Sequence, residues 1–148
     1  MTTDRYVFDT SSLMAILLDE ETPSISVTFD EHVLDLTFYE AGNVLWKAHH
    51  LQGRIDADDT QRLVEILDEL RVEVVVHELS ELGTGAVLGT AIESDLTFYD
   101  AAHLLCAETL EATFITEDRE LRDAAGEMVS VCGLDGVSGE DMGSEEYD

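Results

Sequence analysis

The sequence predicts an α/β protein whose parallel five-stranded sheet is covered by helices on both faces. Five short apolar runs recur along the 148 residues, several of them rich in β-branched side chains. Segments with helical spacing fill the intervals between them. A hydrophobic content of 45% over this length is enough for one well-formed core.

The elements follow in order. Residues 6–9 form a short apolar run that ends in Asp9, which suits a buried strand. Ser11 or Ser12 caps a helix running to Leu18. Pro23 punctuates the chain, and the stretch to His32 carries no clear pattern. Residues 33–36 read as the second strand, followed by a helix over 37–50 that Gly53 terminates. Residues 56–70 read as an amphipathic helix, with Leu63, Ile66, Leu67 and Leu70 on one face and acids at its positive end. The β-branched run 71–76 predicts the third strand. A helix is expected over 80–93 despite three glycines, and a clearer one over 97–110. Residues 113–116 predict the fourth strand, 118–125 a helix and 128–131 the fifth strand. The domain is expected to span residues 1–132. Residues 133–148 hold four glycines, six acids and no base, and are expected to form a solvated tail.

Thirty-four acids stand against seven Lys plus Arg, a formal charge of −27, and Lys47 is the single lysine. Self-repulsion of that size destabilises a small domain in dilute buffer. In molar salt the screening length drops to ~3 Å and the repulsion nearly vanishes. The acids are spread along the whole chain, so a salt-rich cytosol explains them better than one basic partner does. No basic patch marks a nucleic-acid surface, and any case for such a substrate has to come from a site. Cys106 and Cys132 form no CxxC pair and read as reduced structural residues. With no signal peptide and no long uncharged apolar run, a cytoplasmic location is expected.

One internal echo stands out. Leu36-Thr37-Phe38-Tyr39-Glu40-Ala41 recurs as Leu96-Thr97-Phe98-Tyr99-Asp100-Ala101. In each copy a threonine is placed to cap a helix and an acid follows three residues later. Such an acid can close a capping box or serve a function; the repeated Phe-Tyr pair is not needed for capping. Asp9 and Asp118 also fall just before a helix or in its first turn, and just past a strand's carboxyl end. That edge of a parallel sheet is where ligand crevices form. Carboxylates gathered there repel one another unless some protonate or a cation joins them. A hard divalent ion, Mg²⁺ or Mn²⁺, suits an all-oxygen site and can activate water against phosphorus.

These segments resemble a known family. Asp9-Thr10-Ser11-Ser12-Leu13, Tyr39-Glu40-Ala41-Gly42-Asn43, Tyr99-Asp100-Ala101-Ala102-His103 and Thr116-Glu117-Asp118 are similar to the four acidic motifs of PIN domains, in the order found in single-domain toxins of the VapC type. The resemblance implies a three-layer α/β/α sandwich and an Mg²⁺- or Mn²⁺-dependent endoribonuclease. It further implies a homodimer neutralised by a cognate antitoxin. By the same resemblance Asp9 and Asp100 are the principal metal ligands, Glu40 and Asp118 complete the site, and Thr116 hydrogen-bonds within it. Asn43, one turn beyond Glu40, reads either as a residue that orients it or as a surface or core-edge asparagine. Arg119 and Arg122 are the bases nearest the site in sequence, either for phosphate or for ion pairs on their own helix. Other readings are an RNA maturation or decay nuclease, an inactive acidic binding domain, and a phospho-receiver domain. The last needs a lysine near the acids, and Lys47 is badly placed for it.

Overall fold

The computed structural model describes residues 5–19 and 22–137. Strand β1 (Tyr6–Phe8) leads into helix α1 (Thr10–Leu18). A 3-10 turn (Ile25–Thr28) precedes β2 (His32–Leu34), then α2 (Asp35–Trp46), which runs on as one π turn (Lys47–Leu51). After α3 (Ala57–Glu73) come β3 (Val75–His77), α4 (Leu79–Leu82), α5 (Thr84–Ser94) and α6 (Phe98–Leu110). Strand β4 (Thr113–Ile115), α7 (Arg119–Ala125) and β5 (Val131–Cys132) complete the order.

All four strand pairings are parallel, and the sheet order is β3-β2-β1-β4-β5. The chain therefore winds outward from β1 in one direction and restarts beside it with β4. Crevices open at such a reversal, outside the strands' carboxyl ends.

Alternation along the strands feeds two cores. Phe8, Val33 and Ile115 join Leu13, Leu45 and Leu70 on the face covered by α1, α2 and α3. Val7, Leu34 and Phe114 join Val87, Leu104 and Leu121 on the face covered by α5, α6 and α7. Successive strand residues point to opposite faces, so each short central strand serves both layers. The three-layer α/β/α sandwich is thus present. Among the described residues, no helix is long and apolar enough to cross a membrane.

Several boundaries differ from expectation. The run 71–76 was assigned to a strand, but α3 keeps residues 71–73 and β3 begins at Val75. Leu70 is buried at the end of the apolar face of α3, while Val72 lies 83% exposed. Packing of the helix thus overrides the β-branched propensity of Val72. The helix expected over 80–93 divides at Gly83, whose φ of 92° suits glycine and ends α4. Strand β5 begins at Val131, not 128, because the backbone N–H groups of Met128 and Val129 bond back to the Ala125 carbonyl.

The segment expected to be a solvated tail from residue 133 is packed at its start. Leu134 and Val137 are buried in the core beside α1 and the sheet, so two apolar side chains extend the packed domain to at least Val137. The remainder of that tail lies outside the described residues. Cys106 is buried, and burial pushes its thiol up to about 12, which leaves it chemically quiet.

Candidate active site at the carboxyl edge of the sheet

Asp9 leaves the end of β1 and caps α1. Its Oδ1 accepts the Ser12 backbone N–H at 3.0 Å and the Ser11 hydroxyl at 2.8 Å. Its Oδ2 accepts the Thr116 hydroxyl at 2.5 Å. Thr116 follows β4, the strand beside β1, and its oxygen also accepts the Asp118 backbone N–H at 3.1 Å. Only 4% of Asp9 is exposed, so these donors replace water around the charge. Asp118 caps α7 by accepting from the Leu121 N–H at 3.1 Å.

Glu40 lies on α2. Its Oε1 accepts from the Thr10 hydroxyl at 2.5 Å and faces His103 Nε2 at 3.3 Å. Burial raises the Glu40 carboxyl, but the bonds from His103 and Thr10 outweigh it and hold the group below its ordinary range. Asp100 lies in the first turn of α6 and behaves in the opposite way. Burial pushes its carboxyl up, His103 opposes this, and the charges of Asp118, Asp9 and Glu40 push it further. The four acids from distant parts of the chain thus feel one another.

They share a cleft of about 720 Å³, whose walls also include Ser11, Asn43, Arg54 and His103. Residues 6–127 match the PIN domain family. This chain belongs to the PIN-domain family. It is 32% identical over 124 residues to Ribonuclease VapC3 of Pyrobaculum aerophilum, covering 80% of this chain and 93% of that one. It is 41% identical over 90 residues to Exonuclease VapC9 of the same organism, covering 60% and 62%. The crystal structure of PAE2754 from Pyrobaculum aerophilum superimposes with a TM-score of 0.68 at 32% identity, covering 90% of this chain and 93% of that one. FitAcB from Neisseria gonorrhoeae shares the fold, with a TM-score of 0.52 at 14% identity over 85% and 95% of the two chains.

Within this PIN domain the supporting residues differ in part from expectation. Thr116 bonds inside the acidic pocket as anticipated. Asn43 lines the cleft, but the hydrogen bonds to Glu40 come from Thr10 and His103. Arg119 is exposed and is not part of the cleft wall. Arg122 donates to the Thr116 carbonyl at 3.0 Å and lies 3.9 Å from Glu117, so it braces the loop after β4. The base that does line the cleft is Arg54, which sequence reasoning missed because it sits in an irregular segment, distant in sequence from Asp9, Glu40, Asp100 and Asp118. Lys47 is exposed and outside the cleft wall, which removes the phospho-receiver reading.

The donors fit a hard cation better than zinc. They are carboxylate and hydroxyl oxygens, and the Asp100 carboxyl is raised first by burial and then by the neighbouring carboxylates, both of which positive charge would offset. Among the described residues no three His, Cys, Asp or Glu side chains stand ready to close on a single ion. Mg²⁺ is commonly held by one or two carboxylates with waters filling the other positions, so a looser set is compatible with it.

Proposed function

We propose that this PIN domain is a divalent-cation-dependent endoribonuclease, the toxin of a toxin–antitoxin pair. The observation that carries the reading is Asp100, a half-buried acid pushed up by burial and by three further carboxylates at the sheet's reversal point. The names of its relatives as a ribonuclease and an exonuclease of the VapC type favour the same chemistry. When bound, Mg²⁺ or Mn²⁺ supplies positive charge for the phosphoryl oxygens and eases ionisation of the attacking water.

Asp9 and Asp100 are the residues that would hold the ion. Asp9 is suited to this because Ser11, Ser12 and Thr116 fix both of its oxygens while leaving a lone pair free on Oδ2. Thr10 and His103, both on Oε1, favour the charged form of Glu40, and the carboxylate would orient the attacking water. Asp118 completes the acidic wall. A cognate antitoxin, a homodimer and a cytoplasmic setting rich in KCl complete the proposal, the last because of the −27 charge.

The test is cleavage of total RNA by the purified, antitoxin-free protein with Mg²⁺ or Mn²⁺ across a KCl series. Cleavage is expected in molar KCl and is expected to vanish with EDTA and with Asp9→Asn, which keeps the helix cap. Cleavage that survives both would place the chemistry elsewhere. A folded protein that cuts nothing in any salt would sink the reading.

A further inference from the structure

The repeated Phe-Tyr pair divides its work. Phe38 packs against one core and Phe98 against the other, each anchoring its helix to its own side of the sheet. Tyr39 and Tyr99 face outward, 81% and 57% exposed. Both line the acidic cleft. Both also line a second pocket of about 230 Å³, whose walls include Leu34, Leu79, Leu82 and Phe98. The two rings therefore stand where a polar, acidic cleft meets an apolar recess.

A nucleic-acid strand reaching this cleft meets charge of its own sign. The protein carries −27, and among the described residues Arg54 is the single Lys or Arg in the cleft wall. Basic side chains would bind phosphates by releasing counterions, a gain that fades steeply with salt. Stacking of a base on an aromatic ring releases no counterion and accepts any base. Burial of an apolar face is undiminished by KCl. Affinity at this site has to come from contacts of the second kind.

We propose that Tyr39 and Tyr99 form the base-stacking wall of the substrate site. An unpaired base stacks on these rings and enters the apolar recess, which sets the neighbouring phosphate over Asp9 and Asp100. The recess has room for a single heterocycle, so a base held in a duplex is excluded. This inference rests on the nuclease reading.

Fluorescence anisotropy of a short labelled single-stranded RNA tests it, with Ca²⁺ replacing Mg²⁺ or Mn²⁺ and KCl varied up to molar concentration. Wild-type affinity should hold or rise as KCl screens the like-charge repulsion, and the matching duplex should bind more weakly. Tyr39→Ala and Tyr99→Ala should each weaken binding by roughly five- to a hundredfold, whereas Tyr39→Phe and Tyr99→Phe keep most of it. Both positions are exposed, and circular dichroism should show unchanged folding. Alanine variants that bind as wild type, while wild type still cuts RNA in the parallel assay, overturn the stacking role alone. Wild-type protein that neither cuts nor binds overturns both readings. Alanine variants that alter the oligomeric state in light scattering and leave RNA binding intact assign the rings to a second copy of the chain, which also overturns the proposal.

Discussion

Leu36–Ala41 and Leu96–Ala101 share a pattern, yet each carries its acid on a different turn of its helix. Before the second copy the chain leaves α5 through Asp95 in the left-handed region, φ 56°. Thr97 then stays extended, caps α6 and accepts the Asp100 N–H at 3.0 Å. Before the first copy β2 passes into α2 without a loop. Leu34 holds the cap position, Asp35 accepts the Leu36 N–H at 2.8 Å, and Thr37 lies inside the helix. Its hydroxyl is fully buried with no hydrogen-bond partner among the described residues. Glu40 therefore sits deeper in its helix than Asp100 does, and α2 and α6 approach the cleft from opposite faces of the sheet. Similar local sequences became different local structures because the residues before them differ.

The carboxyls of the two acids also shift in opposite directions, which is the first way to test the comparison. Glu40→Gln and Asp100→Asn should both cut RNA cleavage by more than the roughly 10–100-fold that a supporting residue costs. In EDTA their effects on stability should have opposite signs. Glu40 is held below its ordinary 4.5, so its contribution is present above that pH and is lost as pH falls through the folded value. Asp100 is raised above 3.8, so it costs stability once pH exceeds its folded value, and the cost fades as pH falls toward 3.8. At neutral pH, denaturation should therefore show Asp100→Asn more stable than wild type and Glu40→Gln less stable. Two shifts of the same sign would show that the acids do not share one field.

His103 connects the two copies, since it lies on α6 and faces Glu40 on α2. His103→Leu fills the same buried position but removes this partner. Cleavage should fall by about 10–100-fold, and the acid limb of the pH–rate profile should move to higher pH as Glu40 becomes harder to ionise. An unmoved limb would show that Thr10 alone sets the state of Glu40.

The smallest effects belong to the threonines. Thr97→Ala removes a helix cap and should cost about 1 kcal/mol in chemical denaturation. Thr37→Val replaces a buried, unpaired hydroxyl with a methyl of similar shape, and should be neutral or stabilising by up to about 1 kcal/mol. Equal losses at both positions would restore the symmetry that the sequence suggests.

The sequence by itself determined the alternation of strands and helices, the parallel sheet and the set Asp9, Glu40, Asp100 and Asp118. Those features reside in short-range signals: apolar runs, helical spacing, and acids beside strand ends or within the repeated Phe-Tyr-acid pattern. Thr116 was legible for the same reason, two residues before Asp118. Tertiary structure decided the rest. It gave residues 71–73 to α3, drew Leu134 and Val137 into the core, and put Arg54 rather than Arg119 in the cleft wall. It also turned the phenylalanine of each echo inward and the tyrosine outward. Each of these depends on which distant surface a side chain meets, and that is fixed only when two helical layers close over one sheet.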